Sequence, residues 1–232
     1  VLGHEIAGTV AAINGPAPGL KPGDRVAINP SRWCGKCSYC QQGRPNLCEA
    51  IYFMGSASKT PHMQGGFSSY FDAIPEQCVK IPDSVPFEAA ALGEPLAVCL
   101  HAVGRAGDIR GKSVLVIGAG PIGLITMMAA RQRGAARVMA ADIADGALAY
   151  ATRLGADETV NVSAGAEALM TAVRATPVDV VYEASGSAAG VASAIGAVRR
   201  GGTIVQIGNL PGGAFPAPVN AIMAKEIDFF GT

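Results

Sequence analysis

Two apolar patterns divide the chain. Over residues 1–95, short stretches alternate apolar with polar positions: IAGTVAAI, DRVAINP, FSSYFDAI and QCVKIP. Turns rich in glycine and proline, such as KPGD, separate them. Alternation with period two places every second side chain on one face of a pleated strand, so this half reads as short strands joined by turns. From residue 96 the pattern changes to continuous apolar runs of strand length, alternating with helix-like segments. SVLVIG (113–118), RVMAAD (137–142), ETVNV, VDVVYEAS and GTIVQIG read as strands, and KEIDFFGT ends inside another. GLITMMAARQRG, GALAYATRLG and ASAIGAVRR read as helices. Such alternation implies βαβ units around a parallel sheet. The expected fold is therefore α/β with an all-β part, residues 1–95 forming one domain and 96–232 a second, doubly wound one.

The turn after the first buried strand carries chemistry. GAGPIG, Gly118 to Gly123 with Pro121 and Ile122 inside it, is G-x-G-x-x-G between a strand and a helix. The first glycine permits the tight turn, Gly120 lets backbone approach a pyrophosphate, and Gly123 lets the helix pack on the strand. The helix N-terminus then offers free N–H groups and the positive end of its dipole to phosphate. Asp142 ends the next strand, nineteen residues after Gly123. A carboxylate there can accept hydrogen bonds from both ribose hydroxyls and repels a 2′-phosphate, and Ile143 and Ala144 supply no cation. NAD is expected over NADP, with NADP left open to an arginine from a nearby loop.

Four of the six cysteines, Cys34, Cys37, Cys40 and Cys48, fall at C-x2-C-x2-C-x7-C. Four thiolates fill the tetrahedral shell of zinc and leave no position for water or substrate, so the 34–48 lobe reads as a structural site. An iron–sulfur cluster is the rarer alternative. Ligand-like spacing also favours a reducing compartment over a disulfide framework, hence a cytoplasmic protein. Cys78 and Cys99 read as small buried residues. His4 and Glu5 lie in G-H-E-x-x-G, where flanking glycines suggest a corner aiming both side chains the same way. They could give two of the three protein ligands of a catalytic zinc. Glu94, in LGEPLAV at the junction of the two halves, is a candidate third or exchangeable ligand; a helix N-terminal acid before Pro95 is its plainer reading.

Composition narrows the partners. Lys plus Arg and Asp plus Glu are 18 each, so no net field draws the chain to nucleic acid or a membrane. The apolar runs are too short to span a bilayer, and no signal peptide opens the chain.

GHEIAG, KPGDRVA, the four-cysteine lobe, GEPLAV and GAGPIG together, in this order, resemble the zinc-containing medium-chain alcohol and polyol dehydrogenases. Within that family, VAINPSRWCGKCSYC, FMGSASKTPHMQGGF and GEPLAVCLHAV look most like the L-idonate 5-dehydrogenases, with the sorbitol dehydrogenases near second. The resemblance implies a GroES-like β-barrel catalytic domain, a Rossmann domain, and a dimer or tetramer. It implies a catalytic zinc held by His4, Glu5 and a cysteine upstream of residue 1, with Glu94 beside it and a structural zinc on the four cysteines. Ile122 and Asp142 match cofactor contacts, and Ile207, Gly208 and Asn209 match a segment near the nicotinamide. Ala147 replaces a basic residue frequent in the family, removing one cationic contact. The reaction implied is reversible oxidation of L-idonate to 5-keto-D-gluconate, zinc lowering the pKa of the substrate hydroxyl and hydride passing to NAD. His62 could then contact the substrate carboxylate. The upstream cysteine, and a strand and helix beyond Thr232, would make this the interior of a longer protein. The alternatives are a sorbitol-like polyol dehydrogenase, or a fragment that binds zinc and NAD(P) without catalysis.

Overall fold

A computed structural model describes residues 2–56 and 61–232. Ala57, Ser58, Lys59 and Thr60 of the FMGSASKTPHMQGGF segment lie outside the described residues. The chain divides into two compact units, Val1–Pro95 and Leu96–Thr232.

The first unit holds β1 (Ile6–Thr9), β2 (Arg25–Ile28), β3 (Ser31–Arg32), α1 (Ser38–Gln41), β4 (Tyr52–Phe53), β5 (Cys78–Lys80) and α2 (Phe87–Ala91). β1, β2 and β5 form an antiparallel sheet in that order, with Ile6 opposite Ile28 and Ile28 opposite Cys78. β3 pairs with β4. Ile6, Val26, Ile28 and Met54 form a small core. Arg25 ties the sheet to α2: its guanidinium lies 4.4 Å from the Phe87 ring centroid and donates to the carbonyls of Pro82, Asp83 and Val85.

FSSYFDAI, expected as a strand, forms none. The Phe67 N–H is drawn to the carbonyl of Leu2, and the Ser68 N–H turns back to Gly66, so the segment has no neighbouring strand to pair with. Phe67 and Tyr70 are left 76% and 80% exposed.

α3 (Gly93–Arg105) runs across the division between the units. After it come β6 (Ser113–Ile117), α4 (Pro121–Gln132), β7 (Arg137–Asp142), α5 (Asp145–Arg153), β8 (Glu158–Asn161), α6 (Glu167–Ala175), β9 (Val178–Glu183), α7 (Ala188–Ala197), β10 (Val198–Gln206), α8 (Val219–Lys225) and β11 (Asp228–Gly231). All six strands are parallel, ordered β11-β10-β9-β6-β7-β8. Successive residues feed opposite cores: Val114, Val116, Val138, Ala140, Val180 and Tyr182 pack on one face, and Leu115, Ile117, Met139, Ala141 and Val181 on the other. Burial on both faces is why these strands read as unbroken apolar runs rather than as alternations.

The second unit departs from the sequence pattern as well. α6 and α8 add helices that the periodicity did not mark, α6 burying Leu169 and Val173 in the second core. ASAIGAVRR is not helical throughout: α7 stops at Ala197, and Val198 pairs with Val178 as the start of β10. Side chains fix that break. Arg199 is bonded to Asp179 at 2.6 Å, and Lys225 Nζ donates to the carbonyls of Ile195, Gly196 and Val198, ending the helix.

Candidate functional site

Strand order reverses between β6 and β9, since β7 continues on one side of β6 and β9 lies on the other. In open parallel sheets a ligand crevice opens at the carboxyl ends of the strands at such a point. Here a cavity of about 740 Å³ opens there, lined by Ile117, Gly118, Gly120, Asp142, Ile143 and Ser185 among others. The glycine turn forms its floor. Gly118 has φ 94°, and a Cβ on it would lie 2.6 Å from the Ser185 nitrogen. One on Gly123 would lie 1.8 Å from the Gly118 carbonyl oxygen, so α4 can pack against β6 only without a side chain there. Gly120 caps α4 and faces open space, with nothing within 4 Å of its ideal Cβ. Pro121 follows at the first helical position, where its missing N–H costs nothing. Asp142 reaches back to this turn, accepting from the Ala119 N–H at 2.6 Å and the Ala144 N–H at 2.9 Å. A cleft with an open helix N-terminus on one side and a held carboxylate on the other fits a dinucleotide.

Ile207 and Gly208 follow β10, their N–H groups donating to the Glu183 carbonyl at 2.8 and 2.9 Å. The Asn209 carbonyl packs on Gly186, whose Cβ would lie 2.5 Å away. These residues share the carboxyl edge of the sheet with the glycine turn.

Cys34, Cys37, Cys40 and Cys48 form a second constellation, all four sulfurs within 4.8 Å of one another and none in a disulfide. The Cys37 N–H donates to Cys34 Sγ at 3.4 Å and the Cys34 N–H to Cys48 Sγ at 3.3 Å. Backbone N–H groups of Lys36 and Cys37 bring the Cys34 thiol down to about 6, and those of Cys40 and Glu49 lower Cys37. Burial, then the Cys37 side chain beside it, pushes Cys40 up to about 12. Sulfurs this close repel once ionised, so the full set of thiolates needs a cation among them. The donor set fits zinc.

The ligand atoms of His4, Glu5 and Glu94 also lie within 4.8 Å of one another. Ligands on a tetrahedral zinc stand about 3.4 Å apart, so a small contraction would close this group on an ion. Burial raises the Glu94 carboxyl above its ordinary value; the His4 charge lowers it and the Glu5 charge raises it. Glu94 lies in the first turn of α3. The His4 ring meets Phe53 edge-on at 5.2 Å. The corner before His4 is clamped by glycines. Gly3 has φ 94°, its carbonyl accepts from the Gly66 N–H at 2.9 Å, and the Phe67 N–H donates to Leu2. A Cβ on Gly55 or Gly65 would lie 2.2 or 2.3 Å from the Gly3 carbonyl oxygen. Sequence reasoning missed this clamp; the GG pair after His62 was its visible signal. His62 itself is exposed and belongs to no metal-ligand group among the described residues. Because backbone cannot yield as a side chain can, Gly65→Ala should displace Leu2–Gly3 and with it His4. Zinc titration should show weaker binding at the His4 group with the cysteine lobe still loaded, whereas unchanged binding at both would show that the clamp does not hold His4.

Residues 1–83 match the alcohol dehydrogenase GroES-like domain family and residues 121–232 the zinc-binding dehydrogenase family. A candidate zinc-binding dehydrogenase of Sinorhizobium meliloti 1021, solved bound to NADP, superposes with a TM-score of 0.92 at 33% identity, over all of this chain and 68% of its own. The chain belongs to the zinc-binding dehydrogenase family. Among solved members, L-idonate 5-dehydrogenase of Escherichia coli K-12 also reaches a TM-score of 0.92, at 36% identity over the whole chain and 66% of that protein. A sorbitol dehydrogenase of Bacillus subtilis strain 168 is 36% identical over 233 residues, covering all of this chain and 65% of the relative. The chain thus spans just under two thirds of the length of these curated relatives. The expected fold, a GroES-like part plus a Rossmann sheet, is the family's fold. No helix among the described residues is long and apolar enough to cross a membrane.

Proposed function

We propose that the protein oxidises a secondary alcohol of a polyol or sugar acid, reversibly, with NAD as hydride acceptor, and that L-idonate is its substrate. The observation that carries this reading is the convergence of His4, Glu5 and Glu94 within 4.8 Å in a chain that also holds a dinucleotide crevice. Zinc bound by His4 and Glu5, with Glu94 as exchangeable ligand, would act as a Lewis acid on the substrate hydroxyl, and NAD would take the hydride. The chain's own residues position these groups. His4 offers imidazole nitrogen, held by the glycine clamp and the edge of Phe53. Glu94, its carboxyl raised by burial, is suited to receive a proton or pass it to water. Asp142 and the open face of Gly120 would hold the adenosine and pyrophosphate. The four-cysteine lobe, with all its positions filled by protein, would keep its zinc structural and leave catalysis to the His4 group.

Relatives named for L-idonate and for sorbitol stand at 36–37% identity, so the substrate is decided by assay. Turnover of L-idonate with NAD should exceed that of sorbitol in kcat/KM. The reverse ranking would make the protein a sorbitol-type polyol dehydrogenase, and turnover of neither would favour a non-catalytic zinc- and nucleotide-binding chain.

Cofactor preference follows from Asp142. NAD should be used better than NADP, and Asp142→Ala should narrow the gap by removing repulsion of the 2′-phosphate. Equal or better use of NADP by the unsubstituted protein would refute the preference.

A further inference from the structure

Glu183, at the end of β9, is completely buried. Its carboxylate is held entirely by donors. Oε1 accepts from the Ser185 N–H at 2.9 Å and from the Ser185 hydroxyl. Oε2 accepts from the Gly186 N–H at 3.3 Å and from Gln206 Nε2 at 2.5 Å. Gln206 Nε2 also donates to the Gly208 carbonyl at 2.9 Å. One side chain thus joins two segments, the turn from β9 into α7 and the chain leaving β10.

The join leaves no slack. A Cβ on Gly190 would lie 2.4 Å from Glu183 Oε1, and one on Gly208 would lie 3.0 Å from Oε2 and 2.3 Å from the Gly186 nitrogen. The orientation of Gln206 is fixed by the same bonds, since its flipped amide would set an oxygen against the carboxylate. In that orientation Gln206 Oε1 is buried with no hydrogen-bond partner among the described residues. An unmet buried acceptor is unfavourable, and it is tolerated where the bonds to Oε2 and Gly208 are made.

The two joined segments lie on one side of the switch point. A dinucleotide crosses such a sheet with one mononucleotide on each half. Asp142, on β7, takes the half built from β6, β7 and β8, which leaves the carboxyl ends of β9 and β10 for the other nucleoside. We propose that Glu183 is a positioning residue: by tying Ser185–Gly186 to Gln206–Gly208 it shapes the surface that receives the nicotinamide half of NAD. This rests on the dinucleotide reading above.

The test compares NAD⁺ with ADP-ribose, which lacks the nicotinamide, by calorimetric titration of the chain carrying Glu183→Gln. The amide adds a donor among donors, so the two loops should lose their common register. NAD⁺ should bind at least about ten-fold more weakly while ADP-ribose changes by less than about two-fold. A residue that served only stability would lower the melting temperature and leave the ratio of the two affinities unchanged, and that result overturns the proposal. Gln206→Met, which removes both Nε2 bonds and keeps the carboxylate, should give the same selective loss. It carries the test if Glu183→Gln does not fold, and an unchanged ratio in it also overturns the proposal. Failure of ADP-ribose to bind the unsubstituted chain would instead refute the dinucleotide reading itself.

Discussion

His4→Asn should abolish alcohol oxidation while leaving NAD bound. Imidazole nitrogen is a strong zinc ligand, and the asparagine amide is a weak one. A Lewis acid at the reacting oxygen supplies several kcal/mol, and each 1.36 kcal/mol is tenfold in rate, so turnover should fall at least about a thousand-fold. The nucleotide crevice is built from other residues. Gly118, Gly120, Asp142 and Ser185 all belong to Leu96–Thr232, whereas His4 belongs to Val1–Pro95. NAD affinity should therefore stay within about two-fold of the unsubstituted value. Turnover and cofactor titration on one sample read both halves. Retained turnover would remove His4 from the chemistry, and NAD binding lost with it would mean that the two units do not respond independently.

The second large effect is expected at the cysteine lobe. Cys37→Ala leaves three thiol ligands and one position of the tetrahedral shell open. Zinc content should drop by one per chain. Structural zinc contributes on the order of 10 kcal/mol to the folding of small zinc peptides, so the lobe should open. The damage should remain local, because the two large cores consist of residues from Ala102 onward. Hydrogen exchange should become fast over residues 34–48 and stay slow in β6, β7 and β9. Unchanged zinc content would show that the four cysteines hold no metal.

The nucleotide-binding half was legible because its signals are local. A buried parallel strand announces itself as SVLVI or RVMAAD, and the glycine turn follows within a few residues. The cysteine lobe was legible for the same reason, four ligands within fifteen residues. The pairing of His4 with Glu94 was not in the spacing, since ninety positions separate them; the place of GEPLAV at the junction of the two halves suggested it, and the resemblance of GHEIAG and GEPLAV to a family supported it. FSSYFDAI misled because its phenylalanines, tyrosine and isoleucine are residues common in strands, while the preceding glycines pull the backbone onto Leu2 and Gly3. Glu183 gave no signal at all. It ends an apolar run, where an acid reads as the exposed end of a strand; Ser185 stands two residues on, and only the fold brings Gln206 to it.

Two zinc sites of different kind should coexist in this chain, one closed by cysteine and one open at His4. Anomalous scattering at the zinc edge from crystals of the zinc-loaded chain tests it most directly. Two peaks are expected, one enclosed by Cys34, Cys37, Cys40 and Cys48 at about 2.3 Å from each sulfur, the other about 2.0–2.2 Å from His4 and Glu5. A single peak at the cysteines, with none beside His4, would show that His4 and Glu5 hold no metal.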